Sequence, residues 1–106
     1  MAMDRKRIRR PTLPGEILAE LYLRPYRVSI AKFAEAAGLS RKHVSALIHG
    51  RSAMTAATAT RIAAVLGTTA QFWLNMQAAV DLYDADESLR HSERKPRRLP
   101  VFNAAA

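Results

Sequence analysis

Gly38 interrupts a stretch, Ser29 to Arg51 (SIAKFAEAAGLSRKHVSALIHGR), that otherwise reads as continuous helix. Before it, Ile30, Phe33, Ala34 and Ala37 fall at the i, i+3, i+4, i+7 spacing of one helical face. Ser29 stands where a hydroxyl can accept a hydrogen bond from an unpaired first-turn amide. After it, Ser40 offers the same cap to a second helix whose inner stripe is Val44, Leu47 and Ile48, with Gly50 as its stop. A β-carbon resists the left-handed backbone needed at so short a turn, whereas glycine adopts it freely. Two short helices held at an angle by Ala37-Gly38-Leu39-Ser40 therefore constrain the fold more than any other feature of the chain.

The second of these helices carries Arg41, Lys42, His43, Ser45 and Ala46 off its apolar stripe, with His49 at its end and Arg51 just beyond. Ser29 and Lys32 open the first. An apolar back and a basic front suit a polyanion, and such a helix-turn-helix is the commonest device for setting a helix in the major groove of DNA. Any helical hairpin can share a glycine turn and a solvated charged face, so spacing alone leaves both readings open.

Charge favours the first. The chain has 106 residues, a net charge of +8 and 49% apolar residues, the make-up of one small domain with an acidic partner. Nucleic acid fits better than an anionic membrane surface. No apolar run approaches the roughly 20 residues of a membrane span, and no apolar signal core follows the basic N-terminus, so a cytoplasmic protein is expected. There is no cysteine, and His43 and His49, six apart, fall on different faces of a helix, so the three histidines at 43, 49 and 91 do not form a ligand set. With no phosphate-cradling glycine loop and no nucleophile motif, neither a cofactor, a metal nor an enzymatic activity is expected.

Both chain ends are basic. Arg5, Lys6, Arg7, Arg9 and Arg10 face only Asp4, while Asp81, Asp84, Asp86 and Glu87 precede a cluster of Arg90, Arg94, Lys95, Arg97 and Arg98. Residues 1–10 read as a flexible arm, 11–85 as the folded domain and 86–106 as a polar tail. The arm can reach phosphates or a minor groove, or it can serve only solubility.

Three further helices flank the hairpin. Pro14 suits the first turn of one that runs to about Leu23, with Ile17, Leu18, Leu21 and Tyr22 on one side, and Arg24-Pro25 ends it. Thr55 caps Ala56 to Leu66, and Thr69 opens a helix from Ala70 to about Tyr83. No segment alternates with period two, so the fold is all-α with five helices. The last helix is apolar on more than one face. Phe72, Trp73, Leu74, Met76, Val80 and Tyr83 are therefore dimerisation candidates, with the alternative that Phe72 and Trp73 complete the monomer core.

Three motifs, LPGEIL at 13–18, AGLSRKHVSALIHGR at 37–51 and LGTTAQFWLNMQAAVDL at 66–82, resemble the HigA-type antitoxins, a branch of the Xre (lambda-repressor-like) helix-turn-helix regulators. The resemblance implies a dimeric repressor that binds a palindromic operator in double-stranded DNA. It also implies a partner toxin of the RelE-like, mRNA-cleaving kind. The DNA-contacting set it implies is Ser29, Lys32, Ser40, Arg41, Lys42, His43, Ser45, Ala46, His49 and Arg51. The chain departs from the family where Leu13 replaces a usual histidine, Ile30 a frequent glutamine, Ala46 a long polar residue and His49 an asparagine. Glu16 and Glu20 are candidate toxin contacts, while the LPVF segment at 99–102 reads first as a frayed chain end and second as a strand to be added to a toxin's sheet edge. A solitary regulator without a toxin, or a basic RNA-associated protein, would share much of this sequence.

Overall fold

The computed structural model describes residues 9–105, and the elements among them are helical. Helix α1, Pro14–Ile17, continues directly into a π-helical segment, Leu18–Leu23; α2 is Ile30–Ala37, α3 Arg41–Ile48, α4 Ala56–Leu66 and α5 Ala70–Arg90. A 3₁₀ turn follows at Pro100–Ala105. The expected starts coincide with real caps. Ser29, Ser40, Thr55 and Thr69 each accept a hydrogen bond from the amide three residues on, at 3.0 to 3.2 Å.

The wide turn in the first helix changes which residues face inward. The Arg24 amide donates to the Ala19 carbonyl at 2.9 Å, a bond across five residues, and Pro25 has no amide with which to continue the ladder. Leu18 and Leu23 are buried as a result, whereas Leu21, expected on the inner stripe, is 57% exposed.

Leu18, Phe33, Val44, Leu47, Ile62, Trp73 and Val80 are the largest fully buried side chains, so every helix contributes to one centre. Trp73 meets the edge of Phe72 at 5.1 Å and tilts against Tyr22 at 5.7 Å. Its indole N–H donates to the Thr68 hydroxyl at 2.8 Å, which satisfies the one polar atom the ring brings inside. Trp73 and Val80 are thus core residues of the monomer and not available to a partner. Of the six dimerisation candidates, these two lie inside the monomer. The inner face of α5 closes the domain against α4 and α1.

Gly15 is where α1 crosses α3. A β-carbon there would overlap the carbonyl oxygen and carbon of Leu47, so the close approach exists only because position 15 has no side chain. The LPGEIL motif therefore seats the first helix directly on the backbone of α3.

Helix α5 runs to Arg90, past the Tyr83 expected as its end and past the boundary placed at 85. Its last turns are polar and held by local pairs, Arg90 with Asp86 at 3.5 Å and with Glu87 at 3.4 Å. The expected N-terminal arm lies outside the described residues except for Arg9 and Arg10. Arg10 is not free: its guanidinium grips the Asp84 carboxylate with two bonds of 2.9 and 2.8 Å. That donated hydrogen bond holds the Asp84 carboxyl below its ordinary value, and the same bond raises Arg10. A lowered carboxylate contributes above the ordinary carboxylate range, and the contribution is lost as pH falls through the lowered Asp84 value. Both groups are at the surface, so the effect on stability is small and salt-screened. An NMR titration should place the Asp84 midpoint below that of free aspartate, and Arg10→Ala should return it to the ordinary range.

Candidate nucleic-acid interface

The hairpin is held from behind. The Arg61 guanidinium of α4 donates to the Ala37 carbonyl at 3.2 Å, closing the turn at the residue before Gly38, whose φ of 70° is left-handed. A β-carbon at Gly38 would also press on that guanidinium. Beyond α3, the Gln77 side-chain oxygen of α5 accepts from the Met54 amide at 2.8 Å and fixes the loop into α4. Neither Arg61 nor Gln77 stands out in the sequence as a support of the hairpin, because each acts across 23 or more positions.

On the outer side, Ser29, Lys32, Ser40, Arg41, Lys42, His49 and Arg51 are exposed. Lys32, Arg41, Lys42 and Arg51 have no ion-pair partner among the described residues, unlike Arg10, Arg24 and Arg90. Four unneutralised cations therefore share the two hairpin helices and the loop that follows. Ser29 and Ser40 use their hydroxyls as caps.

Three of the expected contact residues are less open. Ser45 and Ala46 are half-buried, and the half-buried His43 turns its ring to α4, where Nε2 lies 3.1 Å from the Thr58 hydroxyl. His49 sits within 2.8 Å of the Ser45 carbonyl through Nδ1. A carbonyl can only accept, so Nδ1 carries the proton and Nε2 is the ring's remaining acceptor in the neutral form. Among the described residues no group of three histidines or carboxylates could hold a metal ion. No helix among them is long and apolar enough to cross a membrane.

Of the other dimerisation candidates, Phe72 is 40% exposed, while Leu74, Met76 and Tyr83 are half-buried. The larger apolar exposure on α5 lies further along, at Leu82 (70%) and Leu89 (42%). These two leucines fall in the acidic half of the helix, where charge obscures the apolar spacing.

The helix-turn-helix family profile matches residues 20–73. Antitoxin HigA-1 of Vibrio cholerae is 43% identical over 98 residues, covering 92% of this chain and 90% of the antitoxin. The chain belongs to the HigA-type helix-turn-helix family. YbaQ of Escherichia coli K12, an uncharacterised helix-turn-helix transcriptional regulator, is 44% identical over 89 residues, covering 84% of this chain and 79% of YbaQ. Among solved structures, antitoxin GraA superposes with a TM-score of 0.73 at 36% identity, covering 82% of this chain and 99% of GraA. The Pseudomonas aeruginosa antitoxin HigA, solved with the higBA promoter, gives 0.72 at 32% identity, covering 84% and 100%. GraA has also been solved with its operator. This HigA-type chain is accordingly not an enzyme but a member of a family of antitoxins and transcriptional regulators.

Proposed function

We propose that this protein is a cytoplasmic DNA-binding antitoxin that represses its own operon as a homodimer and neutralises a RelE-like, mRNA-cleaving toxin. The observation that carries the DNA half is the set of unpaired cations Lys32, Arg41, Lys42 and Arg51 around α3. Relatives of the same fold, bound to promoter and operator DNA in their own structures, support it. Arg41 opens α3 and is placed to reach a guanine edge, while Lys42 and Arg51 neutralise phosphates. Ser40, His49 and Ser29 complete the backbone contacts. His43, Ser45 and Ala46 shape the helix surface between them.

Two copies joined through the exposed stripe of α5, with Leu82, Tyr83 and Leu89 at its centre and Phe72 at its start, would present paired α3 helices to a palindromic site. Successive major grooves lie about 34 Å apart, which sets the required span. If Arg41 reads a base, Arg41→Ala will weaken binding to the protein's own upstream DNA by about 1 to 3 kcal/mol and to random DNA by much less. Equal losses on both duplexes, measured by fluorescence anisotropy, would make Arg41 a phosphate ligand only.

The toxin half is supported by the likeness to antitoxin HigA-1. The likeness to YbaQ supports a second reading, a solitary regulator without a toxin. A small adjacent gene whose product arrests growth alone, and not when co-expressed with this chain, separates the two. Glu16, exposed at the start of the first helix, is a better candidate toxin contact than Glu20, whose carboxylate is held by Arg24 at 2.8 Å.

A further inference from the structure

A groove of about 450 Å³ runs between the first helix, the start of α2 and the end of α3, lined among others by Arg24, Arg27, Ser29, Ile30, Ile48 and His49. Ser29 and His49 belong to the proposed DNA face, so the groove continues that face around the side of the hairpin. Arg27 stands at its rim in an unusual state. Its φ of 58° makes it the one non-glycine residue among those described with a left-handed backbone. For a side chain with a β-carbon that conformation is disfavoured, and glycine or asparagine is the ordinary occupant.

The turn itself does not ask for arginine. It is closed by backbone bonds, the Arg27 amide to the Arg24 carbonyl at 3.1 Å and the Val28 amide to the Leu23 carbonyl at 2.9 Å, and glycine would make both without strain. Nor does the guanidinium serve the fold. Arg24 is engaged by Glu20, whereas the Arg27 side chain has no hydrogen-bond or ion-pair partner among the described residues. A long, exposed, unneutralised cation is thus held in a strained backbone beside a polyanion-facing surface. Strain that the surrounding structure sustains without local return is a mark of a functional position.

We propose that Arg27 binds a DNA phosphodiester in this groove, outside the contacts made by α3, and that it adds affinity without reading sequence. This rests on the DNA-binding reading above. The groove lies against Ser29 and one helical turn from Lys32, so the strand that meets α2 passes Arg27 next. A phosphate takes up the free guanidinium fork through a bidentate, charge-assisted contact.

The test uses the full chain, a labelled duplex from upstream of its own gene and a random duplex of equal length, titrated over a range of salt. Arg27→Gly should bind both duplexes about 3- to 10-fold more weakly, with the salt slope flattened by about one per protomer. Its melting temperature should be no lower than that of the parent, since glycine adopts the same backbone freely. Arg27→Lys should keep the slope. If the parent itself shows no salt-dependent binding to either duplex, the DNA-binding reading fails and takes this assignment with it. If the parent binds and Arg27→Gly matches it in affinity and slope, the assignment alone is overturned. A loss shared by Arg27→Gly and Arg27→Lys with unchanged slope is a structural effect and also overturns it.

Discussion

Replacing Trp73 by alanine will remove about 3 to 5 kcal/mol of folding free energy, the range for truncating a buried indole. The ring has no exposed surface, touches Tyr22 and Phe72, and spends its N–H on Thr68, so no part of it is free to relax into solvent. A domain of this size has about 5 to 15 kcal/mol in total, so the variant loses a large share of it. Its melting temperature should fall by at least about 12 °C, at roughly 4 to 8 °C per kcal/mol. Urea or thermal unfolding followed by circular dichroism reads the effect. Trp73→Phe keeps most ring contacts and should lose much less. Trp73 is also the one tryptophan of the chain, so its fluorescence reports this environment without interference. A Trp73→Ala protein that keeps its full stability and is merely monomeric would return the residue to the subunit interface. Leu82→Ser is the contrasting variant. Its side chain is mostly exposed, so it should change association with little change in the unfolding of the monomer.

Gly15→Ala should destabilise the protein by about 1 to 3 kcal/mol or more, the cost of overpacking a site that cannot give way. The sign is what matters. In an ordinary helix, alanine for glycine stabilises by roughly 0.5 to 1 kcal/mol. Here the added carbon meets the Leu47 carbonyl, which is backbone inside α3 and cannot rotate aside as a side chain would. Helix α1 must lift from α3, and the C-terminal end of α3 shifts with it. DNA affinity should therefore drop along with stability. Glu16→Ala, one residue on and exposed, should stay within about 0.5 kcal/mol of the parent. Unfolding curves of the two variants compared with the parent decide the matter: a stabilised Gly15→Ala would mean the helices do not cross at this residue.

Much of the fold is legible from local pattern. Ser29, Ser40, Thr55 and Thr69 announce their helices because a cap acts within three residues, and Gly38 marks the turn because a left-handed backbone is a property of one position. The basic character of α3 is legible for the same reason: Arg41 and Lys42 lie just after the cap and off the Val44, Leu47 stripe. The motif around Pro14 and Gly15 is visible too, although the sequence does not say that Gly15 is there for Leu47.

What escapes the pattern depends on which surfaces meet. Leu21 fits the inner spacing of an α-helix, but the π turn before Pro25 rotates it outward and brings Leu23 in. His43 reads locally as an outward-facing side chain, whereas Thr58, fifteen positions on, meets its ring on the α4 side. On α5, Phe72, Trp73, Met76 and Val80 cover too much of the helix for periodicity to say which face closes the core. Only packing against α1 and α4 assigns Trp73 and Val80 to the inside and leaves Leu82 and Leu89 outside.

The amino-acid sequence by itself determined the helices, their caps, the hairpin and its charge, because each arises from neighbours within a turn or from simple addition of charge. Tertiary structure alone decided which side of α5 is core, which hairpin residues remain open, and that Arg27 lies in a groove shared with the end of α3. Those outcomes are set by contacts between residues far apart in the chain, where burial and close approach, not local preference, carry the energy.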